Sequence, residues 1–372
     1  MRGGEMDGKA QGATAPNGSR PAIAGRRRRS RVAVIGGAGF VGSTLVPKLL
    51  KRDYDVTVLD AFLYGEESMV EGGRRLRLVR GDIRDVESIV RGCKGADAIV
   101  HLGGLVGDPS CAVDAELTLA INLRATAMIA EVARGLGVRR LVFASSCAVY
   151  GDGSGVLDEE SPLAPVSIYA QTKADSERLL MAAADARFCP TALRFGTFYG
   201  LSPRPRFDLV VNLLVAKAVR EGSIVIFGGG QWRPFLHVED GADAIIACLQ
   251  APVDVVRGQA FNVGSDEQNH TLSEVAELIR AQVPGVDLIT REAAGGEANY
   301  RVSFAKIRRL LDFRAQRTLP DGISEIVAAV QSDAIADYRA TRYNNHTSLQ
   351  SGNAVELLGL LASPVAVAAA SS

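Results

Sequence analysis

From Arg31 onward, short apolar runs alternate with longer stretches of helical spacing. RVAVIG (31–36), DVTVLD (55–60), RLRLVRGDI (75–83), ADAIVHLG (96–103), RRLVFASS (139–146) and PTALRFGTFYG (190–200) read as strands. GFVGSTLVPKLLKR (39–52), DVESIVRGC (85–93), AELTLAINLRATAMIAEVARGLG (115–137) and YAQTKADSERLLMAAADA (169–186) repeat their apolar positions with the helical period. Strands that alternate with helices predict an α/β fold: a Rossmann-type, doubly wound parallel sheet covered on both faces. The nearly unbroken apolar strands agree, because a parallel strand is buried on both sides.

After about residue 195 the rhythm loosens. FDLVVNLLVAKAVREG (207–222), VEDGADAIIACLQ (238–250), LSEVAELIRAQ (272–282), FAKIRRLLD (304–312) and DGISEIVAAVQSDAIADY (321–338) read as helices, with short strands such as SIVIFG and QAFNVG between them. The expected organisation is a disordered leader over 1–30 and a cofactor-binding domain over 31–195. A smaller C-terminal α/β substrate domain over 196–342, partly interleaved with the first, and a loose tail over 343–372 complete it.

Composition narrows the partners. Of 372 residues, 47% are apolar, enough for a sizeable core, and the formal net charge is zero, which speaks against a nucleic-acid partner. No apolar run is long enough to span a bilayer, and no apolar signal segment opens the chain. The five cysteines are widely spaced, without a CxxC pair, and predict free thiols in a cytoplasmic protein with no metal site. The run Arg26 to Arg29 reads as part of a solvated leader.

Chemistry enters at the strand ends. VAVIGGAGFVGS places Gly36, Gly39 and Gly42 between a strand and a helix, followed in the first helical turn by Phe40 and Val41. Glycines allow a tight turn and close approach of a pyrophosphate, and the helix N-terminus supplies free N–H groups. Asp60 closes the second strand, 18 residues after Gly42. A carboxylate there accepts from the ribose 2′-OH and repels a 2′-phosphate, which favours NAD over NADP. Asp82 and Ile83 end the third strand and are expected to flank adenine, and Leu102 and Gly103 end the fourth. Tyr169 and Lys173 lie four apart in YAQTK, on one helix face. An ammonium beside a phenol favours phenolate, so this pair can exchange a proton with a sugar hydroxyl. Ser146, at the end of the fifth strand, can hold the reacting oxygen.

Taken together, VAVIGGAGFVGS, VTVLD, GDIRD, HLGG, FASSCAVYGD, YAQTK, LRFGTFYG and WRPFLHVED resemble the extended short-chain dehydrogenases/reductases over roughly 31–340. The closest resemblance is to the NAD-dependent epimerase/dehydratase group acting on nucleotide sugars. The resemblance implies a catalytic triad of Ser146, Tyr169 and Lys173, a bound NAD and a nucleotide-diphosphate-sugar substrate. It also implies a homodimer, for which the apolar helices around 115–135 and 170–184 are candidates. On the substrate side it implies contacts from Thr197, Asn212, Arg233 and Tyr300, with Arg301 close by. Thr197 stands where many relatives carry asparagine. For Ser202 to Phe207, a pocket-lining loop and a plain surface loop both remain open, as do base stacking and domain covering for Trp232. His101 and His237, in apolar strands, read as core or loop-fixing residues.

The branch is read from departures. Dehydratases of the group carry Thr-Asp-Glu before Val-Tyr-Gly, where this chain has Ser146-Cys147-Ala148, so the acid and base for losing water are missing there. The branch that inverts C3 and C5 has a cysteine two residues before the tyrosine that here is Tyr150, and that position is Ala148. Cys147 therefore reads as a packing residue, and Cys111 as a minor candidate for an extra acid. C4 epimerisation through a transient 4-keto sugar is the expected reaction. Reduction of a 4-keto sugar comes second, ahead of 4,6-dehydration and of a noncatalytic cofactor sensor.

Overall fold

The computed structural model describes Met1 and residues 29–65, 69–292 and 298–350. The expected leader over 1–30, its Arg26–Arg28 stretch included, and the tail beyond 350 fall almost wholly outside the described residues. Fourteen strands are present among them: β1 (Arg31–Ile35), β2 (Asp55–Asp60), β3 (Leu76–Arg80), β4 (Ala98–His101), β5 (Arg140–Ser146), β6 (Asp152–Leu157), β7 (Cys189–Phe195), β8 (Thr197–Tyr199), β9 (Ser223–Phe227), β10 (Trp232–His237), β11 (Gln259–Val263), β12 (Asn269–Thr271), β13 (Asp287–Arg291) and β14 (Asn299–Val302).

Seven of them form one sheet in the order β11-β7-β5-β4-β1-β2-β3, and every neighbouring pair is parallel. This is the doubly wound architecture expected from the alternation of strands and helices. Successive residues of β1 feed opposite cores: Val32 and Val34 pack on one face, Ala33 and Ile35 on the other. The order reverses between β1 and β4, so their carboxyl ends leave a crevice between them, the place where ligands bind in such sheets. QAFNVG is a strand, as expected, in a segment expected to be partly interleaved with the first domain. As β11 it pairs with β7 at the edge of the main sheet, because its apolar residues Phe261 and Val263 are buried in the first core. The helix Val238–Gln250 also returns to this layer, where Lys48 binds Asp243 at 2.6 Å and Glu239 at 2.7 Å.

PTALRFGTFYG is two strands rather than one. Gly196 separates β7 from β8, and β8 joins β10 in a small mixed sheet with β12. A second core around Tyr199, Phe207, Val215, Ile279 and Ile323 gathers the C-terminal helices. The expected loose tail also differs from the structure as far as residue 350. Tyr343 packs its ring against Phe207, and the helix Asn345–Leu349 buries Leu349 beside Leu105, Cys111 and Ile121.

Candidate active site

A cavity of about 440 Å³ opens above the crevice between β1 and β4. That volume lies within the range of ligand sites. Its floor is the glycine turn. Gly36 has φ +78°, and a side chain there would meet the Gly103 backbone nitrogen at 2.6 Å, so only glycine lets these two turns close on each other. A side chain at Gly42 would lie 2.5 Å from the Gly36 carbonyl, so the helix Phe40–Lys51 packs directly on the turn. Gly39 caps this helix without a side chain, leaving the first N–H groups facing the cavity without a side-chain acceptor. This donor set fits the pyrophosphate of a dinucleotide.

All the residues expected at the cofactor line this cavity: Gly36, Gly39, Phe40, Val41, Gly42, Asp60, Asp82, Ile83, Leu102, Gly103, Tyr169 and Lys173. Asp60 is held rigidly, accepting from the Ala38 and Phe62 backbone N–H groups at 2.9 and 2.8 Å. Burial raises its pKa above the usual carboxylate value, against the lowering effect of those N–H groups and of Arg204. Asp82 is engaged by Arg84, whose Nε donates at 2.9 Å.

The reacting wall is built by the end of β5 and the helix Ile168–Ala182. Ser167 caps that helix by accepting from the Ala170 N–H, and its hydroxyl donates to Asp108 at 2.6 Å. Tyr169 and Lys173 then sit on the first two turns and line the cavity together with Ser146. Glu177 continues the same face one turn further. It is clamped by Arg194, whose Nη2 donates at 2.7 Å, while Arg194 Nη1 donates to the Tyr150 hydroxyl at 2.9 Å. This buried, forked pair ties the helix to β7, and removing one partner of such a pair costs about 3–5 kcal/mol.

The electrostatics depart from the expectation of a lowered phenol. Burial pushes Tyr169 up to about 12, with the hydrogen bond to Ser146 working in the opposite direction. Burial also lowers Lys173, to about 8, while its amine donates to the Ala144 carbonyl at 2.7 Å. The amine lies 5.8 Å from the Tyr169 ring centroid. Desolvation is the largest influence on both groups.

Of the residues expected at the substrate, Ser146, Thr197 and Tyr300 line the cavity, and Asn212 and Arg233 do not. Asn212 is fully buried and spends its amide on the chain itself: Oδ1 accepts from the Gly200 N–H at 3.0 Å, and Nδ2 donates to the Gly200 and Arg206 carbonyls, both at 2.8 Å. It fixes the loop 200–206. Arg233 lies over the Tyr300 ring, 5.5 Å from its centroid, and donates to the Trp232 carbonyl. Arg301 stacks on Trp232 at 5.0 Å. Both arginines of Ser202–Phe207, Arg204 and Arg206, line the cavity.

The thiols are packing groups. Cys111 donates to the Leu105 carbonyl and burial raises it to about 12; Cys147 donates to the Arg194 carbonyl and is also raised by burial. His101 is buried at hydrogen-bond distance from Thr126 and lowered to about 3, and His237 meets Glu325 at 2.9 Å.

Three contributors were missed in the sequence. Asp108 lines the cavity beside the helix start. Asn122 sits in a π-helical turn, Ala120–Arg124, inside the long helix predicted over 115–137, and binds both the N–H and the carbonyl of Leu105, a cavity residue. Its signal was a lone amide on an apolar helix face, and such turns concentrate at functional sites. Asn345 comes from the stretch read as tail.

Residues 32–264 match the family described as NAD dependent epimerase/dehydratase family. The chain is 28% identical over 324 residues to "Uncharacterized UDP-glucose epimerase YtcB" of Bacillus subtilis (strain 168), covering 81% of this chain and 98% of that protein. It is 30% identical over 278 residues to the UDP-glucose 4-epimerase of Lactobacillus helveticus, with 69% and 83% covered. It is 28% identical over 312 residues to a dTDP-glucose 4,6-dehydratase of Streptomyces niveus, with 80% and 91% covered. Among solved structures, MoeE5 in complex with UDP-glucuronic acid and NAD superposes with a TM-score of 0.71 at 29% identity, over 82% of this chain and 99% of that one.

Proposed function

Because this chain belongs to the NAD-dependent epimerase/dehydratase family, we propose that it is a nucleotide-diphosphate-sugar epimerase inverting C4 of the sugar. The observation that carries the reading is the make-up of the reacting wall. Ser146, Tyr169 and Lys173 meet on it, while Ala148 lines it without a carboxylate and the Cys147 thiol turns inward to the Arg194 carbonyl. The relatives support a UDP- or dTDP-linked sugar, since their names carry both.

The chain's own residues do the following. Ser146 holds the C4 oxygen by hydrogen bonding. Tyr169 takes the C4 hydroxyl proton as the C4 hydrogen leaves, and returns it when the ketone is reduced from its other face. Lys173, anchored by the Ala144 carbonyl, supplies positive charge that favours the phenolate, against the burial that raises the phenol to about 12. Bound NAD would supply reversible hydride acceptance, which leaves no net oxidation. Thr197, Tyr300 and Arg206 bound the space in which the keto sugar turns over.

The test is a product assay. Enzyme purified without added nucleotide is denatured and the released nucleotide weighed; intact enzyme is then given a panel of UDP- and dTDP-hexoses. Co-purified NAD and an isomeric product, without lasting absorbance of reduced nicotinamide, are expected. Stoichiometric consumption of NADH on a 4-keto sugar would make it a reductase, and a product lighter by one water would make it a dehydratase; either result overturns the proposal.

A further inference from the structure

Two side chains on the cavity carry buried polar atoms with no hydrogen-bond partner among the described residues. Arg204 is 4% exposed, yet its Nε and Nη2 have no hydrogen-bond partner. Asn345 is also 4% exposed, and its Oδ1 has none. Both line the cavity. A buried guanidinium without an acceptor is costly, and so is a buried amide oxygen without a donor. Their occurrence together, on one ligand-sized space, points to a ligand that completes them.

Their placement says which part of the ligand. The Arg204 backbone N–H donates to Ser43 Oγ at 3.3 Å, in the first turn of the helix Phe40–Lys51. The loop therefore packs against the first turn of the helix that follows the glycine turn. The guanidinium lies 3.7 Å from the Tyr64 ring centroid, which orients its plane without consuming its donors. Asn345 is fastened to the same loop: its N–H donates to Asp208 at 3.0 Å, Asp208 pairs with Arg206 at 2.9 Å, and the Phe207 N–H donates to the Tyr343 carbonyl at 2.8 Å. Leu349 anchors the other end beside Leu105 and Ile121.

We propose that residues 202–208 and 341–349 form a strap across the cofactor, in which Arg204 donates to a pyrophosphate oxygen of bound NAD and Asn345 accepts from a donor of the same dinucleotide. The strap opposes the glycine turn, so the pyrophosphate is held from both sides. A cofactor retained in this way survives many turnovers without exchange. The inference concerns NAD and stands whichever sugar carbon reacts.

The test compares wild type with Arg204→Gln, Arg204→Lys and Asn345→Leu, all as full-length protein stripped of nucleotide. NAD and NADP affinities are measured by calorimetry, and melting temperatures with and without NAD. A charge-assisted hydrogen bond predicts that Arg204→Gln weakens NAD about ten- to a hundredfold, that Asn345→Leu weakens it about three- to tenfold, and that Arg204→Lys falls between Gln and wild type. The nucleotide-free variants melt no lower than wild type, because an unpaired buried group has been removed, and only the rise on adding NAD shrinks. NAD affinity within about twofold of wild type in both Arg204→Gln and Asn345→Leu overturns the proposal. So does a nucleotide-free melting temperature that falls as far as that of the NAD complex, which marks a structural role. If Arg204→Gln weakens NADP more than NAD, the guanidinium reads a 2′-phosphate and the pyrophosphate assignment falls. If NAD is unaffected and UDP binding is lost, the strap serves the sugar nucleotide instead, and the proposal fails.

Discussion

The two sides of the cavity are made differently. The side from the main sheet is assembled from contiguous motifs: the turn 36–42 follows β1, Asp60 ends β2, Ser146 ends β5, and Tyr169 and Lys173 share two turns of one helix. The opposite side is assembled from single residues scattered over the second half of the chain: Thr197, Arg204, Arg206, Tyr300 and Asn345. The first side holds the proton-transfer groups on elements that β-sheet pairing and helix capping fix in place. The second is held by loops clamped to one another through Asn212, Asp208 and Tyr343. Chemistry common to a family is expected from the first, and selectivity for this chain's own ligands from the second.

The largest expected effect falls on the first side. Lys173→Met lowers kcat by about 10²–10⁴, the usual worth of general acid–base assistance. In wild type, turnover falls as pH rises through about 8, because Lys173 loses its proton there; a pH–rate profile measures both. Its effect on stability has the opposite sense. The unfolded lysine takes its proton near 10.5 and the folded one near 8, so the folded state's advantage from a neutral amine is present above 10.5 and is lost as pH falls to about 8. Lys173→Met therefore melts no lower than wild type at neutral pH.

Glu177→Leu comes next. It leaves Arg194 buried without its carboxylate and costs about 3–5 kcal/mol in denaturant unfolding. If stability is unchanged, the clamp beneath the reacting helix is not what positions it. Asp60→Ala weakens NAD by about tenfold and narrows its preference over NADP, as read by titration; an unchanged ratio would detach cofactor choice from this strand end. The smallest effect is on the second side. Asn212→Leu costs about 1–3 kcal/mol of stability through three lost hydrogen bonds, and any weakening of NAD accompanies that loss, because it comes only from loosening the loop that carries Arg204. A loss of affinity without a loss of stability would return Asn212 to the ligand.

The same contrast explains what the sequence revealed. Parallel strands, the glycine turn and the Tyr169–Lys173 pair are local patterns, so their places follow from spacing alone. Arg233 stood in a stretch that resembles a ligand-binding segment, but in the fold it lies over the ring of Tyr300, 67 residues later, and only Tyr300 lines the cavity. Asn345 carried no local signal at all, because its role is set by a contact with Asp208 across 137 positions. Proximity of Lys173 favours the Tyr169 phenolate, whereas burial raises the phenol. Burial depends on the whole fold and cannot be read from a motif.

The central claim is that one wall of this cavity performs the proton transfer while the rest holds the ligands. Tyr169→Phe tests it most directly, since the substitution removes one hydroxyl and keeps the ring. Turnover on the wild-type substrate is predicted to fall by about 10²–10⁴, with NAD and nucleotide-sugar affinities within about threefold of wild type by calorimetry. Turnover that persists near the wild-type rate in that variant would contradict the account.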